Sequence, residues 1–62
     1  MNKRKKPSAS RLAKGLWRLA HEAEYKAIAL KELGLDLYAN GVARAANEFS
    51  SAAIFLERQA NS

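Results

Sequence analysis

The chain has 62 residues, no cysteine and one histidine, and its eleven Lys and Arg against six Asp and Glu leave a formal net charge of +5. That length allows one domain at most, and a chain so short rarely buries enough surface to fold unaided. Disulfides are excluded, and one histidine is too few for a zinc staple of about four Cys and His ligands, so oligomerisation is the remaining route to stability.

Thirteen alanines, few β-branched residues and a single proline predict an all-α chain. Charged residues, Asp36, Arg44, Glu48 and Glu57 among them, break every apolar stretch before it reaches the roughly 20 residues that span a bilayer. A secretory leader would need a continuous apolar core, whereas Ser8 to Arg18 is amphipathic. Met1 to Ala20 is closer to a mitochondrial presequence in being basic, serine-containing and free of acids, but removing it would take half the core away. The expected location is cytoplasmic.

In chain order, Met1 to Lys6 carries Lys3, Arg4, Lys5 and Lys6 with nothing apolar after the initiator, which predicts a flexible basic arm over residues 1–7. Pro7 ends the arm, and Ser8 or Ser10 can cap a helix starting near Ala9. Helix one, about 9–33, places Leu12, Leu16, Leu19, Ala23, Ala27 and Leu30 on one stripe, with Ala9, Ala20 and Leu33 at its edges. Gly15 interrupts this helix, which suggests either a close backbone approach or fraying of the first turns.

Leu33-Gly34-Leu35-Asp36 supplies the turn, predicted over 34–36, because Gly34 can take the left-handed conformation that ends a helix and Asp36 can cap the next one. A rival division turns at Asn40-Gly41. The first is preferred because Tyr38 and Val42 stay in register with the later seam across Gly41. Helix two, about 37–59, then sets Tyr38, Val42, Ala45, Phe49, Ala52, Leu56 and Ala60 on one arc. The architecture expected over residues 8–62 is an antiparallel two-helix hairpin that assembles as a homo-oligomer, minimally a dimeric four-helix bundle. Trp17, Ile28, Ile54 and Phe55 fall outside both stripes and are the candidate oligomer or partner interface.

The net charge hides a division. Residues 1–18 hold seven bases and no acid, whereas residues 19–62 hold four bases and six acids. Arg11, Lys14 and Arg18, with His21 and Tyr25 beyond them, project away from the leucine stripe and continue the basic arm as a ridge. Such a ridge suits a polyanion, because each cation that neutralises a phosphate releases condensed counterions, and Tyr25 or His21 could stack on an exposed base. The bland alternative is a solvated helix face with a solubilising tail. Ser10 to His21 also has basic residues opposite leucines, as interfacial membrane helices do, but the bundle needs those leucines for its core, so no membrane partner is expected.

The sequence offers no constellation suited to catalysis. His21-Glu22-Ala23-Glu24-Tyr25 lacks the second histidine of a zinc-protease helix, and Glu22 and Glu24 diverge too far on one helix to act as a carboxylate pair. Gly15, Gly34 and Gly41 are isolated and form no phosphate-cradling loop. The chain is read as a non-enzyme without cofactor or metal.

The hairpin pattern with its alanine-rich seam resembles the Rop-type plasmid RNA-binding proteins, dimeric four-helix bundles that hold paired RNA loops on the faces of helix one; the basic arm Lys3 to Lys6 departs from that family. Trp17-Arg18-Leu19, Glu24 and Lys31-Glu32-Leu33-Gly34 are similar to a stretch of small phage proteins that sequester cyclic nucleotide signals as helical oligomers. Two functions are therefore expected as alternatives. The first is nucleic-acid binding, RNA slightly favoured over DNA, through the ridge and Lys3, Arg4, Lys5 and Lys6. The second is a phage- or plasmid-encoded interaction protein that inhibits a host protein or sequesters a nucleotide through surplus apolar surface.

Overall fold

The computed structural model describes residues 8–61. They form two helices, α1 (Ala9–Glu32) and α2 (Asp36–Asn61), packed against each other as an antiparallel hairpin. The basic arm expected over residues 1–7 lies outside the described residues.

Local chemistry explains where the helices begin and end. Ser8 is extended and its hydroxyl oxygen accepts the Arg11 backbone N–H at 3.1 Å, satisfying one of the free amides of the first turn of α1. At the other end the Leu35 N–H donates to the Leu30 carbonyl and the Gly34 N–H to the Lys31 carbonyl, both at 2.9 Å, the paired bonds of a Schellman cap. That cap needs a left-handed residue, which Gly34 supplies at φ 82°. The chain thus reverses over residues 33–35, and Asn40 and Gly41 stand inside α2. Asp36 is already the first residue of α2, and its carboxylate sits in the first turn, where the helix dipole favours a negative charge.

The interhelical seam is made of alanine. Ala13, Ala20 and Ala27 on α1 meet the level of Ala39, Ala46 and Ala53 on α2, each set spaced by seven residues, and these six are the whole buried core of the described hairpin. Seven residues is close to two helical turns, so each set keeps facing the other helix, and its small side chains let the two backbones come close. This rotates both stripes expected from the sequence. Leu12 and Leu19, placed at the centre of the stripe, remain 46% and 48% exposed, whereas Ala20, placed at its edge, is 1% exposed. In α2 the expected line of Tyr38, Val42, Ala45, Phe49, Ala52, Leu56 and Ala60 flanks the buried row rather than forming it, and Tyr38, Ala52 and Ala60 are exposed. The reason is that hydrophobic weight marks the middle of the apolar arc, while the helix contact takes the edge of that arc where side chains are smallest.

With the alanines fixed inward, the helical repeat assigns the rest to two faces. Trp17, Glu24 and Lys31 turn to one side of α1, and Ser50 and Glu57 to the corresponding side of α2. The Trp17 indole N–H, donating to Glu57 Oε2 at 2.9 Å, bonds the two helices across this polar face. Leu12, Leu16, Leu19, Ala23 and Leu30 turn to the opposite side, together with Tyr38, Val42, Ala45, Phe49, Ala52 and Leu56 of α2. The molecule is one layer of helices, 13 Å across its thinnest dimension, with an apolar face and a polar face.

Candidate nucleic-acid interface

Arg11, Arg18 and Tyr25 recur at seven-residue steps, and so do Lys14 and His21, which form an adjacent column on α1. All five are exposed. The columns run along the outer edge of α1 and onto the polar face, away from the leucines. From Arg11 to Tyr25 is 14 residues, or about 21 Å of helix axis, the rise of roughly six nucleotides in a duplex strand. Among the described residues Arg11, Lys14 and Arg18 make no ion pair, so their charges are available to an external anion. The first turn of α1 contains no acid and presents free amides, which adds positive potential where Arg11 and Lys14 stand.

The aromatic groups are arranged unequally. His21 lies beside Trp17 with ring centroids 6.3 Å apart and planes 26° apart, an offset stack that leaves the imidazole exposed. Tyr25 is 75% exposed. Between them His21, Glu24, Tyr25 and Ile28 line a shallow depression of about 240 Å³. A second open groove of about 320 Å³ runs between the helices near the turn, with Ala27, Ala39 and Ala43 in its floor and Glu24, Lys31 and Asn40 around it. No group of three or more His, Asp or Glu that could hold a metal ion occurs among the described residues. No helix among them is long and apolar enough to cross a membrane.

Of the residues expected at an oligomer or partner interface, Ile28, Ile54 and Phe55 are exposed, but they do not share one surface. Ile28 and Ile54 lie toward the polar face, and Phe55 points outward from α2. Trp17 is half-buried and engaged within the chain by Glu57 and His21. Sequence periodicity hides Glu57 as its partner, because the leucine stripe puts Trp17 on a surface between copies. Once the alanine heptads are placed inward, positions 17 and 57 flank the seam on the same side. Lys3, Arg4, Lys5 and Lys6 lie outside the described residues. No protein-family model, curated protein or solved structure matches this chain, so a functional reading rests on its own residues.

Proposed function

We propose that this chain is a small, basic nucleic-acid-binding protein that works as an assembly of hairpins, holding the phosphate backbone along the α1 ridge. The observation that carries the reading is the pair of seven-residue columns, Arg11-Arg18-Tyr25 and Lys14-His21, free of ion pairs among the described residues and lying off the apolar face. A seven-residue step is about 10 Å of helix axis, so cations held on a rigid helix at this spacing meet phosphates roughly three nucleotides apart, and their contribution is the entropy of released counterions. In this reading charge and shape matter more than the reading of base edges, because backbone contacts fix position without carrying sequence information. The depression bounded by His21 and Tyr25 suits one unstacked base, which favours RNA with exposed loop bases over a continuous duplex.

The test is fluorescence anisotropy of a labelled RNA stem-loop, and of a DNA duplex of equal length, between about 50 and 200 mM salt. Binding should weaken steeply with salt. The triple variant Arg11→Gln, Lys14→Gln, Arg18→Gln should reduce the magnitude of the log–log slope by about 2 to 3, at about 0.7–0.9 for each phosphate left without its cation, with circular dichroism unchanged. Absence of binding at the lowest salt sinks the proposal. Salt-independent retention of a free nucleotide would assign the chain instead to sequestration of that ligand.

A further inference from the structure

We infer that a second copy of this chain covers the apolar face, with α1 of each copy lying over α2 of the other. The face is formed by Leu12, Leu16 and Leu19 of α1 and Val42, Phe49 and Leu56 of α2, and it is distinct from the Trp17, Ile28, Ile54 and Phe55 set that periodicity alone suggests. The inference deepens the assembly named above and does not depend on what the ridge binds.

Three observations point to a copy of the chain as the occupant. First, the hairpin is a single layer whose core contains no fully buried large side chain among the described residues. A stable domain places two layers around its core, so α1 and α2 need a cover present whenever the chain is folded. A copy of the chain meets that need at the chain's own concentration, whereas an unrelated partner would leave the hairpin uncovered until it was met. Second, the area is adequate. Two helices of about 36 Å length and about 10 Å width offer on the order of 700 Å² in projection, near the roughly 800 Å² per partner of a standard interface.

Third, the face is self-complementary. Leu12 and Leu19 point straight out of it on α1, while the positions that point straight out at similar heights on α2 include Ala45 and Ala52. A two-fold axis parallel to the helices lays each α1 over the partner's α2 at the same height, so that Leu19 enters the space left by Ala45 and Ala52. The alternative axis stacks α1 on α1, leucine against leucine, and leaves the alanines facing each other across a gap. Among the described residues Lys26 is the one charged group aimed out of this face. It sits toward the turn end, where its aliphatic stem can lie along the contact and its ammonium can reach water.

The experiment uses mass in solution together with cross-linking, for which the cysteine-free chain is suited. Light scattering should return twice 6.8 kDa. Leu19→Cys mixed with Ala52→Cys should give a mixed disulfide under mild oxidation. Leu19→Cys mixed with Asn47→Cys, on the polar face, should give little. Leu19→Asp should abolish the dimer and lower helicity with it, while Asn47→Asp should leave both unchanged. A folded monomer at micromolar concentration overturns the inference. So does a dimer that cross-links through position 47, and so does a chain that becomes helical only on anionic lipid vesicles. In the second case the chain still assembles, and only the face assigned here is wrong.

Discussion

Three glycines have the same composition and opposite consequences. Gly34 holds φ 82° at the helix cap, and a Cβ there strains the backbone even though nothing crowds it. Gly34→Ala should therefore destabilise by about 1–2 kcal/mol. Gly15 and Gly41 lie inside helices with open space where a Cβ would stand, so Gly15→Ala and Gly41→Ala should each stabilise by up to about 1 kcal/mol. Thermal melts at one fixed protein concentration check the signs. The open space at Gly15 also removes the close backbone approach that its place in the sequence suggests. Trp17 behaves in a related way: an aromatic residue off the main stripe can serve the chain's own closure, here by donating to Glu57 of the other helix.

For each helix, the apolar arc is wider than the contact it makes. α1 and α2 pair through Ala13, Ala20, Ala27, Ala39, Ala46 and Ala53, and the larger residues line the flank. Close approach of two helices is limited by the bulk at the contact line, so a leucine there must push the backbones apart. Ala46→Leu should cost about 1–3 kcal/mol despite adding apolar area. For a domain of this size each kcal/mol corresponds to about 4–8 °C in Tm. The same change at Ala29, exposed on the outer side of α1, should change Tm little and serves as the control. An increase in Tm for Ala46→Leu would mean that the alanine row is not the tight seam. Ser50 adds a smaller detail beside the same row: its hydroxyl donates to the Ala46 carbonyl at 3.0 Å, which satisfies a half-buried polar group within its own helix.

At the scale of the molecule the decisive feature is the separation of surfaces. The ridge follows the outer edge of α1, and the leucines occupy the apolar face, so assembly through that face would leave the cations in water. In the two-fold arrangement inferred above, each α1 lies over the partner's α2, which puts the two ridges on opposite edges of the bundle. One dimer should then engage two separate backbones. Titration of the protein into a short labelled RNA stem-loop should saturate at one RNA per chain, and two differently labelled RNAs should show energy transfer in the same complex. One RNA per dimer would mean that both ridges contact a single molecule, as the α1-on-α1 arrangement permits by putting both ridges on one edge.

Alanine content, the Leu33-Gly34 stop and a serine cap at Ser8 or Ser10 determined two helices joined by a short turn, because capping and helix propensity act over a few neighbouring residues and need no distant partner. The uneven charge of residues 1–18 likewise depends on sequence alone, and the periodicity of α1 aligns Arg11, Lys14 and Arg18 whatever the helix packs against. Which edge of each apolar arc turns inward was decided only by tertiary structure. That choice depends on how closely two backbones can approach, a property of both helices together, and hydrophobicity summed along either helix points to leucine where the close contact selects alanine.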